Sequence, residues 1–255
     1  MVSAGTPDGQ PWWVMSTPEE RERQRQRTAP PYVRWQPTRF LATVTMVLLG
    51  VCAMADLASV YAGSRLAVLI DGAAPWAYGG MERLEEAEGL FSVTELVRFA
   101  APVATAIPFL MWFHRSRLNA EAFDAAGQRM GSGWAVGAWF MPVANLWFPK
   151  KIANDIWDAS TPPGPDGTVR YRVPAGLLNA WWGSWLVAGF GNGVASALYD
   201  AAETPGELQD ALAFHTVAGG LDVLSALLAV CFVDKLTGMQ HTLQAHRLAL
   251  AARAR

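Results

Sequence analysis

The sequence predicts an all-α integral membrane protein with four transmembrane helices and one short, proline-broken segment that is either re-entrant or interfacial. Three observations predict it. Only 16% of the 255 residues are charged against 52% hydrophobic, well below the roughly 25% charged share of soluble domains. The apolar residues are clumped into stretches such as 40–62, 99–113 and 221–233 that hold almost no charge, where a water-facing helix would carry a polar face. The basic residues, finally, are shared unequally among the segments that join these stretches.

Residues 1–38 are polar, carry six prolines and include a charged run from Glu19 to Arg27. Such a segment buries too little apolar surface to offset its ordering entropy, which predicts a disordered cytoplasmic tail. It does not read as a signal peptide, because the apolar run begins too late and continues too long. The first span is expected at about 40–62, long enough at about 1.5 Å per residue to cross a hydrocarbon core about 30 Å thick. An acidic loop at 63–90 follows, then a second span at about 91–113 with Pro102 and Pro108 as kinking residues. Two further spans read at about 176–199 and 211–233, the former rich in Trp and small residues that let membrane helices approach closely. Together, 39–238 form the predicted membrane domain, and 239–255 a cytoplasmic helix or tail.

The stretch 134–149, WAVGAWFMPVANLWFP, is apolar but short for a crossing, and Pro142, Asn145 and Pro149 interrupt it. Charge decides whether it crosses, because cytoplasmic flanks are enriched in Lys and Arg. If it does not cross, seventeen basic residues share one side and only Arg65 and Arg83 lie on the other; if it does, the split is nine against ten. Four crossings with both termini cytoplasmic is therefore the expectation. A segment that enters and leaves by one face is allowed where its backbone is buried in protein or lines a wet cavity.

A net charge of -2, segregated by segment, gives no support to nucleic-acid binding. Cys52 and Cys231 both fall in apolar runs, which argues against a disulfide framework or zinc site. No motif calls for a metal or cofactor, and no H-E-x-x-H, G-x-S-x-G or phosphate-cradling glycine pattern occurs, so no catalytic residue is assigned and no enzyme is expected.

Two polar groupings remain. Asp56, Glu95, Arg98, Asn192, His215 and Asp222 lie between the middle and outer face of the predicted bilayer. Charged groups there cost about 2.5–3.5 kcal/mol each on insertion scales and usually face the bundle and pair. They form either an outward-facing polar cavity or an ion-pair cluster that locks the bundle. The second grouping is Arg115 and Asn119 at the cytoplasmic end of the second span, with Pro142, Asn145 and Pro149 entering from the same side and Trp157 beyond. Asn145 either satisfies backbone that Pro142 opens or meets a ligand, and Arg115 anchors to lipid phosphates or a helix C-terminus.

Trp112, Arg115 and Asn119, then Trp134, then Pro142, Asn145 and Pro149, then Trp157 and Ser160, resemble the domain of unknown function 4328 family. Val233-Asp234-Lys235-Leu236-Thr237 with Gln240 resembles the end of that domain. The resemblance implies an actinobacterial multi-pass membrane protein and transfers no activity.

Two function classes follow. The leading one is a non-enzymatic scaffold, sensor or partner-binding module, with the lipid bilayer and a protein partner or second copy as its contacts. The alternative is a small-solute or ion transporter or channel, suggested by a broken segment and intramembrane charges.

Overall fold

The computed structural model describes residues 35–71, 79–162 and 173–253. Residues 1–34 of the expected disordered tail lie outside this set, whereas its last four, 35–38, pack against the bundle, with Trp35 5.7 Å from Phe123 between ring centroids. The described residues form one compact unit from Trp35 onward, and among them every regular element is helical. The elements are α1 (Arg39–Asp71), α2 (Gly80–Phe123), α3 (Trp134–Gly137), a 3-10 turn (Ala144–Leu146), α4 (Phe148–Ala159), α5 (Gly176–Ala201) and α6 (Pro205–Arg253).

Three of these helices, α1, α2 and α6, are long and apolar enough to cross a membrane. The 26-residue α5 occupies the expected span near 176–199 but falls outside that set, because Trp, Gly, Ser and Asn dilute its aliphatic residues. The helices run further than the apolar spans that announce them. Much of the expected 63–90 loop is helix: α1 continues through Ala67-Val68-Leu69-Ile70, and α2 begins ten residues before Leu90 in the helix-forming run Glu82–Glu88. A second small core of Ala62, Leu66, Ala87, Phe91 and Leu212 ties these extensions together. α2 also continues through both Pro102 and Pro108.

The turn between α5 and α6 is short because its ends are capped. Glu207 accepts from the backbone N–H groups of Glu203 at 2.8 Å and Thr204 at 3.0 Å, and its own N–H donates to Thr204 Oγ1 at 3.2 Å. That is a reciprocal capping box with Pro205 opening the helix. The backbone donors hold the Glu207 carboxyl below the usual carboxylate range. At the other end, Arg247 of α6 donates to the last carbonyls of α2, Ala122 at 3.0 Å and Phe123 at 2.7 Å, where a cation also complements the helix dipole.

Around the bundle the packing order is α2, α1, α6, α5. The α1–α6 seam is lined by small side chains, and a Cβ on Gly219 would stand 2.5 Å from Val60 Cγ2. Lipid gives apolar side chains no reason to cluster, so such close contact is what membrane helices use to associate. By contrast α2 and α5 do not pack extensively on each other. The gap between them positions everything that follows.

The 134–149 stretch contains no helix longer than the four residues of α3. Pro142 leads into a tight turn in which Ala144 N–H reaches Pro142 O at 2.7 Å with Val143 at φ 65° and ψ -50°. This is a γ-turn of the strained hand, held by what surrounds it. Pro149 does not break a helix; it occupies the first turn of α4, where a missing N–H costs nothing.

Candidate functional site

The stretch before α4 fills one end of the α2–α5 gap. Trp139 stands between Phe109 and Phe113 of α2, at 5.3 and 6.1 Å between ring centroids, and Trp182 and Trp185 of α5, at 5.9 and 5.7 Å. Below it Phe232 of α6 is enclosed by three tryptophans: Trp181 stacked at 4.4 Å, Trp157 stacked at 6.2 Å and Trp112 edge-on at 5.8 Å. Offset and edge-to-face geometries of this kind add to the area that the rings bury.

Beyond Trp139 the gap stays open as a cavity of about 720 Å3. Its walls are Phe99, Pro102, Val103 and Phe109 from α2 and Trp181, Trp185 and Gly189 from α5, and Asp56, Arg98, Asn192 and Asp222 also border it. Pro102 belongs here for a local reason: it has no N–H to give to the carbonyl of Arg98, four residues earlier.

All six residues of the first polar grouping meet at this point, drawn from α1, α2, α5 and α6. Arg98 is the hub. Its Nε donates to Asp56 Oδ1 at 3.0 Å, Nη1 to Glu95 Oε2 at 3.3 Å, and Nη2 to Asp222 Oδ2 at 2.6 Å and to Asn192 Oδ1. Asn192 Nδ2 returns to both Asp222 oxygens, at 3.0 and 2.9 Å. His215 Nε2 lies 3.3 Å from Glu95 Oε1.

One member was missed from the sequence. Ser59 bridges Glu95 and His215, donating to Glu95 Oε1 and lying 2.9 Å from His215 Nε2. Its signal was its place three residues after Asp56, on the same helical face.

A smaller cavity of about 140 Å3 lies on the far side, lined by Phe91, Ser196, Tyr199 and His215. Glu95, Arg98 and Asn192 line both cavities. The polar centre thus stands as a septum between two spaces.

The second grouping does not assemble. Asn119 is fully buried and exchanges hydrogen bonds with the backbone of Gln36, both at 2.8 Å, and donates to Gln240 Oε1 at 3.2 Å. Gln240 in turn donates to Ser116 O at 2.9 Å and Ser160 Oγ at 3.2 Å. Trp112 Nε1 reaches Thr237 Oγ1 at 3.0 Å, and Trp157 Nε1 reaches Val173 O at 3.1 Å. These ties run from helix to helix or from a helix to the residues just before the next one, and they satisfy the polar groups that make them. Arg115 and Asn145 are half-buried and their side chains make no hydrogen bond or ion pair among the described residues, while Pro142 is exposed.

Two neighbouring ions on this side are set by their surroundings. Asp155 pairs with Arg129 at 2.6 Å and raises the guanidinium further above its ordinary value. Burial alone lowers Lys150, whose ammonium donates to Asn154 and Asn179.

Several of the sequence landmarks take part in the ties between helices, and the pattern of the domain of unknown function DUF4328 matches residues 79–238. The chain belongs to the DUF4328 family. No curated protein and no solved structure matches it. The DUF4328 match runs from the start of α2 into α6 and leaves out α1. The landmarks Trp112, Asn119, Trp157, Ser160 and Thr237 all fall inside it. Of the polar centre, Glu95, Arg98, Asn192, His215 and Asp222 lie within the DUF4328 match, whereas Asp56 and Ser59 come from the helix outside it.

Proposed function

We propose that the chain crosses the membrane four times with both termini cytoplasmic, that 134–149 re-enters from the cytoplasmic side, and that the bundle carries a small solute or ion. The observation that carries this reading is the septum: one charged centre with a cavity on either side, at the depth where carriers place their sites. The fourth crossing is α5, supported by its packing along α6. The re-entrant segment is supported by Trp139, an apolar anchor lodged between two helices, and by the exposed apolar tip Phe140-Met141-Pro142-Val143 beyond it.

The reading is non-enzymatic. Ser59, His215 and Glu95 carry the residue types of a hydrolase triad, but Ser59 and Glu95 both meet the same imidazole nitrogen, Nε2. A triad needs the acid on the other nitrogen so that the first is free to take the serine proton. The scaffold reading keeps one observation in its favour, the exposed Leu248 and Leu250 near the end of α6, where a partner could dock.

Gly189 and Phe190 are neighbours on α5, the first bordering the cavity and the second turned away from it. Thiols react as thiolates, which form only where water reaches. In a background without Cys52 and Cys231, Gly189→Cys is expected to react with a charged methanethiosulfonate in proteoliposomes, and Phe190→Cys to stay unmodified. Protection of both would mean a dry gap and would remove the solute route.

A further inference from the structure

We infer that the larger cavity binds an organic cation, with its positive centre at Asp56 and its apolar body along the aromatic walls. This rests on the solute reading above and fixes the sign of the charge that the cavity takes.

The charge balance is the first ground. Three carboxylates, Asp56, Glu95 and Asp222, surround one guanidinium, and even a protonated His215 would leave the centre negative. Uncompensated charge is expensive at this depth, so the occupant that fits is positive. The three carboxylates are also unequally engaged. Asp222 takes Arg98 and Asn192, and Glu95 takes Arg98, Ser59 and His215. Asp56 accepts only from Arg98 Nε on Oδ1; its Oδ2 has no donor among the described residues, although the residue is only 7% exposed. Arg98, for its part, has every nitrogen committed to these partners, which leaves little for an anion.

The walls give the second ground. Phe109, Trp139, Trp181 and Trp185 line the cavity, and cations are attracted to aromatic faces, most strongly in desolvated settings. At about 720 Å3 the cavity falls within the roughly 300–1,000 Å3 typical of small-molecule sites. Phe99 and Val103 at its lip are 76% and 60% exposed, so a cation with an apolar body has a route in from the bilayer.

Tetraphenylphosphonium and tetraphenylborate have the same shape and opposite charge, and their equilibrium binding to the purified full chain in mild detergent tests the inference. Saturable binding of the phosphonium alone is expected. Asp56→Asn, which keeps the shape and removes the charge, is expected to weaken it about a hundredfold, the scale of one charge pair about 6 Å apart at an effective dielectric of about 20. Gly189→Trp fills the cavity without touching a carboxylate, and a Cβ there meets nothing within 4 Å, so it is expected to fold and to abolish binding. Phe190→Ala should change nothing. Preference for the borate would overturn the sign of the charge and leave the solute reading standing. Failure of both ions to bind would overturn both. Phosphonium binding that survives Gly189→Trp would be micelle partition and would overturn the site, as would a lipid chain or second copy found filling it.

Discussion

Arg98→Ala is expected to lower stability by about 3–5 kcal/mol, the range found when one partner of a buried ion pair is removed. The loss comes from what stays behind. Asp56, Glu95 and Asp222 would share a low-dielectric site without the guanidinium that pairs with all three, and Asn192 would lose the donor to its carbonyl. Because the four elements that meet at Arg98 share few other polar ties nearby, the whole end of the bundle around Arg98 should loosen. Thermal unfolding of purified protein in mild detergent reads the effect, and adding Asp222→Asn to Arg98→Ala should recover part of it by removing one orphaned charge. An unchanged midpoint for the single variant would mean that the centre is hydrated enough for solvent to replace the guanidinium.

Phe232→Ala is the second large effect, about 3–5 kcal/mol, as for a fully buried aromatic ring whose cavity cannot collapse. Phe232 is 0% exposed, and the rings of Trp112, Trp157 and Trp181 belong to three different helices, so none can move in without leaving its own contacts. Phe190→Ala, at a position 64% exposed, is the matched control and should stay within about 0.5 kcal/mol of the parent. Equal midpoints for the two variants would contradict the packing described above.

The polar centre was legible in the sequence because lipid makes it so. Polar groups such as Asp222 in an otherwise apolar run have few tolerable surroundings, and six of them spread over four segments can be satisfied only by meeting. Ser59 escaped because serine sits quietly in apolar helices by bonding its own backbone, as Ser64 does to Val60 O at 2.7 Å. The second grouping misled for the opposite reason. Arg115 and Asn119 share a helical face, but the partners of Asn119 are Gln36 and Gln240, 83 and 121 residues away, and nothing local announces them. Helix ends were also hidden, since hydropathy marks where a helix is greasy, while α6 runs on to Arg253 through residues that are simply good helix formers. The cavity itself is a property of two helices failing to touch, which no single segment encodes.

Whether the broken stretch 134–149 crosses the membrane is read by labelling at three exposed positions. Single cysteines at Ala126, Asp158 and Glu203, in a background without Cys52 and Cys231, are treated with an impermeant maleimide on intact cells. All three positions are solvent-facing. Four crossings with a re-entrant 134–149 predict labelling at Glu203→Cys alone, with Ala126→Cys and Asp158→Cys reacting only after the membrane is opened. Labelling of Asp158→Cys on intact cells while Ala126→Cys stays protected would put the stretch across the membrane and contradict the four-crossing reading.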